Sequence, residues 1–160
     1  MAWYQVNLKR LTAICFLMLI VTHLAMSEEH TKTKVVIDNK VQPGIFDRSM
    51  KLSSGDTLRY TISIPENYNS AKPTPLILAL HYGGKVTPHY SRKLVDILIE
   101  PGLKELNAII IAPDSIAGYW GNKKNETAIF ELMNETIKKY SIDIEKTLLT
   151  GFSMGGLVLR

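Results

Sequence analysis

Near the end of the chain stands Gly151-Phe152-Ser153-Met154-Gly155-Gly156, which constrains the fold more than any other segment. Gly-x-Ser-x-Gly is the pattern of a sharp turn from a strand into a helix, with the serine hydroxyl pushed outward at its tip. The glycines two before and two after the serine answer a steric demand, because a Cβ at either place would collide with neighbouring backbone. The flanks supply the required context. Thr147-Leu148-Leu149-Thr150 is short, apolar and β-branched, which predicts a buried strand, and Gly155 to Arg160 can open a helix. A serine so placed is a nucleophile only when a base takes its proton, and chains with this turn run in the order serine, acid, histidine. Four residues follow the turn, so the acid and the histidine are expected beyond Arg160.

A second segment, Leu80-His81-Tyr82-Gly83-Gly84, comes directly after the apolar run Pro75 to Leu80. Such a run predicts a central parallel strand buried on both faces. A histidine and a glycine pair at the end of that strand fit a loop whose backbone N–H points at a developing oxyanion. Glycine lets the amide approach a substrate without a side chain in the way. The donors are then the N–H of Met154 and the N–H of Gly83, with Tyr82 as the alternative to Gly83.

A chain of 160 residues is one domain or part of one. Its first 27 residues read as a signal peptide rather than as fold. Lys9 and Arg10 are basic, Leu11 to Leu24 is apolar, and Ala25-Met26-Ser27 offers small residues for cleavage. The apolar stretch is short for a membrane span, so the expected destination is secreted or periplasmic, with no stable membrane association after cleavage; an uncleaved N-terminal anchor is the alternative. Cys15 is the single cysteine and leaves with the leader, which excludes an internal disulfide. Lys9 and Arg10 leave too and no acid does, lowering the formal charge from +4 to +2. That balance gives no argument for nucleic-acid or anionic-membrane binding, and no nucleic-acid partner is expected. No His, Asp or Glu cluster has metal-ligand spacing and no phosphate-binding loop is present, so no metal and no cofactor is expected.

Residues 28–51 read as a tail with a candidate edge strand at Val35-Val36-Ile37, and residues 52–160 as the folded part. Leu58, Tyr60, Ile62 and Ile64 alternate with Thr57, Arg59, Thr61 and Ser63, which predicts a strand with one wetter face. Ser91 to Ile99 carries Leu94, Val95, Leu98 and Ile99 at helical spacing, and Pro101-Gly102 is expected to break that helix. Ala108 to Ala112 is a second apolar strand. Thr127 to Tyr140 is a helix with Ile129, Phe130, Met133 and Ile137 as its apolar stripe. This order predicts an α/β fold with a parallel centre. Among polar residues, His81 is read as serving loop backbone rather than Ser153. Asp114 is a turn residue or a cleft residue. Tyr119 and Trp120 either pack or contact a substrate. Asn125-Glu-Thr127 and Asn134-Glu-Thr136 match the glycosylation sequon.

Taken together, these segments resemble the N-terminal half of an α/β-hydrolase. More narrowly, they resemble the secreted esterase-D-like, feruloyl esterase and polyhydroxybutyrate depolymerase group of carboxylesterases. The resemblance covers Leu52 to Arg160. It is carried by Leu58 to Pro65 with Tyr68, Pro75 to Gly84, Ile110 to Asp114 with Trp120, and Tyr140-Ser-Ile-Asp143 through Gly156. Tyr82 departs from it, since that group often has glycine after the loop histidine. The resemblance implies that Ser153 is the nucleophile of an acyl-enzyme mechanism on a small ester or polyester substrate. It also implies that the triad acid and histidine lie outside this sequence and that the chain alone is inactive. A peptidase of the same fold and a non-catalytic remnant are the alternatives.

Overall fold

A computed structural model of the chain describes residues 41–158. The expected leader with Cys15, the polar tail and the candidate strand at Val35-Val36-Ile37 lie outside the described residues. The alternating segment forms β2 (Thr57–Ile64), and it pairs antiparallel with β1 (Gly44–Lys51), a strand within the expected tail. The turn between them is closed by Leu52 N–H on the Asp56 carbonyl at 3.0 Å and Gly55 N–H on the Leu52 carbonyl at 2.9 Å. The two apolar runs become β3 (Thr74–Leu80) and β4 (Ile109–Pro113), and the segment leading to the serine becomes β5 (Ile142–Gly151). The sheet order is β1-β2-β4-β3-β5. β2 meets β4 antiparallel, and β4, β3 and β5 run parallel.

Alternation sorts the side chains to two cores. Leu76, Leu78, Leu80, Ile109, Ile111, Leu58, Ile62 and Ile64 pack on one face with Trp120, Ala128 and Leu132. Ile77, Ala79, Ile110 and Ala112 pack on the other with Leu94, Val95 and Ile99. Because β3 and β4 are covered on both sides, they read as unbroken apolar runs. The expected wetter face of β2 is covered only in its second half, where Thr61 is fully buried and Ser63 is 6% exposed; Arg59 is exposed as expected. The Thr61 hydroxyl makes its burial tolerable by donating to Asp47 Oδ1 at 2.9 Å.

Pro101 does not break the first helical stretch. The stretch runs through α1 (Ser91–Leu94), a π turn (Val95–Ile99), α2 (Glu100–Leu103) and a 3-10 turn (Lys104–Leu106). The π turn sets Glu100 N–H on the Val95 carbonyl, and Pro101 then falls in the first turn of α2, where a missing N–H costs little. The wider turn also rotates Leu98 off the apolar face, leaving it 47% exposed. Asn107, at φ 49°, ends the stretch.

The helix expected from Thr127 begins earlier, as α3 (Lys123–Lys139), with Asn122 as its N-cap. Its buried stripe is Asn125, Ala128, Leu132 and Thr136, flanked by Ile129 and Met133. Phe130, from the expected stripe, is 56% exposed, and Ile137 also faces outward. Small residues at 128 and 136 bring the helix close to the sheet. Thr136 satisfies its own hydroxyl on the Leu132 carbonyl at 2.8 Å.

β5 differs from the expectation of a buried strand. Among the described residues it pairs only with β3, and Ile144, Leu148 and Leu149 are exposed by 65, 42 and 45%. In urea denaturation, Leu132→Ala is expected to lower the unfolding free energy by about 2–5 kcal/mol, and Phe130→Ala to change it by less than ~0.5 kcal/mol. Equal losses would show that the helix buries the other face.

Candidate active site

Parallel pairing of β3 with β5 sets Leu80 opposite Gly151, so the loops that follow the two strands leave the same edge of the sheet side by side. This is the edge where ligands bind in sheets of this kind. Phe152 N–H donates to the Leu80 carbonyl at 3.2 Å, and α4 (Met154–Leu157) begins at once. The glycine requirement is visible in the distances. A Cβ on Gly151 would stand 2.6 Å from the Gly155 carbonyl carbon. A Cβ on Gly155 would fall on the Leu80 carbonyl, 2.6 Å from its carbon. Between them Ser153 is exposed, at φ 52° and ψ −112°. A non-glycine residue held there carries roughly 1–3 kcal/mol of backbone strain.

The loop after β3 comes up against this turn. A Cβ on Gly83 would lie 3.8 Å from both the Met154 Cβ and its Sδ. The structure therefore brings together Ser153, Met154, Gly83 and Tyr82, the four residues singled out from sequence. The Tyr82 ring packs edge-on to Phe152, with centroids 6.2 Å apart. Phe152 itself is 54% exposed.

His81 is fully buried between the rings of Tyr90 and Trp120, at 4.9 and 4.8 Å. Its Nδ1 lies 2.6 Å from the Tyr82 carbonyl, and its Nε2 accepts the Ser115 N–H at 3.0 Å. A carbonyl can only accept and an amide can only donate, so the two bonds fix one neutral tautomer with the proton on Nδ1. Burial pushes the His81 pKa below its ordinary value, in the same direction. With both nitrogens committed, this imidazole is not placed to take a proton from Ser153. It does fix the Tyr82–Gly83 peptide. C=O and N–H point to opposite sides of a trans peptide, so drawing the Tyr82 carbonyl toward His81 turns the Gly83 N–H away from it.

Asp114 is buried, and its Oδ1 accepts the Ser91 N–H at 2.9 Å, capping α1 from another strand. It also lines a cleft of about 310 Å³ with Arg59, Thr87 and Ser115, so both sequence readings of it describe part of its place. Trp120 is a packing residue, and its Nε1–H donates to the His81 carbonyl at 2.9 Å. Tyr119 is exposed. His89 stands at φ 58° with its Nδ1 4.0 Å from Asp47 Oδ1, and the structure gives it no link to the serine.

Sequence reasoning missed the role of Asn125. It is 1% exposed, its Nδ2 donates to Ser115 Oγ and to the Tyr119 carbonyl, and its Oδ1 accepts the Ile116 N–H. That side chain ties the loop after β4 into the shape that offers Ser115 to His81. The spacing Asn122-x-x-Asn125 announces only the N-cap, in which Asn122 Oδ1 accepts the Asn125 N–H at 2.9 Å, and not the work of the Asn125 side chain. The sequon at Asn125 is thus closed in the folded chain, whereas Asn134 is exposed.

No family model matches the chain. It is 36% identical over 105 residues to a probable feruloyl esterase C of Aspergillus terreus, covering 61% of this chain and 37% of that protein. It is 31% identical over 113 residues to feruloyl esterase D of Neurospora crassa, covering 64% of this chain and 39% of that protein. The chain therefore spans well under half the length of these relatives. Among solved structures, a ferulic acid esterase superposes with a TM-score of 0.57 at 21% identity, over 72% of this chain and 52% of that one. A thermostable esterase gives 0.57 at 18% identity, over 70% of this chain and 35% of that one. The fold is that of the α/β-hydrolases, and the resemblance to esterases read from the sequence holds.

His81 makes stability depend on pH. Its folded pKa lies below the ordinary histidine value, so between those two values the unfolded chain binds more protons than the folded one. The stabilisation is complete above the ordinary histidine range and is lost as pH falls below it. The thermal midpoint is expected to drop between about pH 7.5 and pH 5, and less steeply in His81→Gln than in the parent chain. Parallel curves for the two would show that the imidazole is not the group titrating.

Proposed function

We propose that this chain carries the nucleophile and the oxyanion donors of a serine hydrolase acting on carboxylic esters. The observation that carries this reading is the strained, exposed Ser153 set beside the Gly83 loop. In it, Ser153 Oγ attacks the ester carbonyl, and the carbonyl oxygen takes the negative charge facing the N–H groups of Met154 and Gly83. The alcohol leaves, and water then releases the acyl group from the serine. Each preorganised donor is worth ~10²–10³ in turnover in such sites. The names of the relatives support a feruloyl ester as substrate, and the exposed Phe152 with Tyr82 beside it offers aromatic surface next to the serine for such an acyl group.

Among the described residues no histidine is placed to accept the serine proton. His81 is committed to the loop and His89, 4.0 Å from Asp47, has no link to the serine, so the general base and its carboxylate partner belong, in this reading, to polypeptide beyond Arg160. The same polypeptide would cover Ile144, Leu148 and Leu149 on β5. In this reading the leader at 1–27 directs export, which puts the enzyme outside the cell or in the periplasm.

With a p-nitrophenyl ester at neutral pH, the 160-residue chain is expected to show no turnover that depends on Ser153. If the reading frame continues beyond the codon for Arg160, the extended chain is expected to be active and to lose ~10⁴-fold or more in Ser153→Ala. Ser153-dependent turnover by the 160-residue chain would refute the missing base. An extended chain whose activity ignores Ser153→Ala would refute the nucleophile.

A further inference from the structure

The Tyr82–Gly84 loop reaches the serine through two glycines, residues with the widest backbone freedom. Something outside the loop has to hold it. We propose that Tyr90 is a positioning residue of this site: its hydroxyl fixes the Gly83–Gly84 peptide, as His81 fixes the peptide before it. The functional half of this inference rests on the esterase reading above.

Four observations meet at Tyr90. Its hydroxyl donates to the Gly83 carbonyl at 3.3 Å. Its phenol occupies the space that a Cβ on Gly84 would need, with the ring Cζ 3.3 Å from that point, and Gly84 sits at φ +148°. Its ring packs against both His81 and Tyr82, at centroid distances of 4.9 and 5.2 Å. Its own backbone is held firmly. Tyr90 N–H donates to the Thr87 carbonyl at 3.1 Å. The next residue, Ser91, is buried, with its N–H on Asp114 at 2.9 Å and its Oγ on the Ala112 carbonyl at 2.6 Å. Tyr90 is therefore a post standing on the end of β4.

The consequence follows from peptide geometry. The His81 bond to the Tyr82 carbonyl sets the direction of the Gly83 N–H, and the Tyr90 bond to the Gly83 carbonyl sets that of the Gly84 N–H. Two successive amides are thus oriented before any substrate arrives, and a donor fixed in advance needs no reorganisation during reaction. Burial and the neighbouring Tyr82 phenol raise the Tyr90 pKa above the ordinary phenol value, so the hydroxyl remains a donor.

Tyr90→Phe keeps the ring and removes the bond. Two measurements on the purified 160-residue chain test the proposal, with Tyr60→Phe as a control phenol elsewhere. Limited trypsin digestion at low concentration reads the loop through cleavage after the exposed Lys85. That cut is expected to quicken severalfold in Tyr90→Phe while the thermal midpoint stays within a degree or two of the control. Unchanged cleavage overturns the clamp, and so does a gain spread over all sites together with a fallen midpoint, which would mark a merely structural tyrosine. The second measurement is the rate at which an alkyl fluorophosphonate modifies Ser153 at alkaline pH, followed by intact mass, with Ser153→Ala as the blank. Displacement of the donors by about an ångström is expected to slow that reaction ~10-fold or more in Tyr90→Phe. Equal rates overturn the positioning role. Absence of Ser153 modification in the parent chain is what the lack of a general base alone produces, and the trypsin result then decides the clamp.

Discussion

A buried, neutral imidazole with both nitrogens occupied is the joint on which the rest of this structure turns. His81 directly follows β3, and through its ring atoms and its carbonyl it joins its own glycine loop to the loop between β4 and α3, more than thirty residues further along the chain. Its Nδ1 governs the glycine loop. Its Nε2 receives the loop after β4, and its carbonyl receives Trp120. A buried polar ring costs several kcal/mol if it is left unpaired, so each of these partners has to arrive in register for the core to close. The expense is met by dividing one side chain's two hydrogen-bonding roles between two backbone groups of opposite character. No apolar residue of that size could orient a peptide plane, and no charged one could stay buried between Tyr90 and Trp120.

The geometry of the serine turn depends on that joint at one remove. Leu80, the residue before His81, gives its carbonyl to Phe152 and presents the surface on which Gly155 rests. The strained backbone at Ser153 is thus held by the same strand end that holds the imidazole. Strain of this sort persists only where the surroundings over-determine it. Here two parallel strands in register, two glycines without side chains and one shared carbonyl leave the serine no relaxed alternative. Pre-organisation and strain are two descriptions of one packing arrangement.

Much of this could be read from the residues. The Gly-x-Ser-x-Gly turn, the two apolar runs and the alternation at Leu58 to Ile64 each follow a short-range rule, and the element order left few topologies. The readings that failed did so where a local signal met a tertiary demand. Pro101 breaks a helix by the usual rule, but a π turn placed it where the rule does not apply. Phe130 and Ile137 carried the apolar pattern of α3, but closeness to the sheet favoured Ala128 and Thr136. Thr61 and Ser63 were expected to be wet, but both are buried, Thr61 beside Ser91 at the start of α1. The roles of Asn125, Ser91 and Tyr90 were out of reach, because each is defined by a partner more than six residues away that no periodicity announces. The strand at Gly44–Lys51 lacked a clean alternation, since Asp47, Arg48 and Ser49 interrupt its apolar residues.

One of those unannounced residues has a consequence in time rather than in space. Asn125 carries a sequon, yet its amide is sealed among Ser115, Ile116 and Tyr119 once the helix docks. Glycosyl transfer in a eukaryotic secretory route acts on chains still emerging and unfolded. In such a host, a sugar attached at Asn125 before docking could never be accommodated afterwards. The sequence would then be running a race at each synthesis, in which the docking of one helix has to outpace an enzyme, and every molecule that loses is barred from the native state.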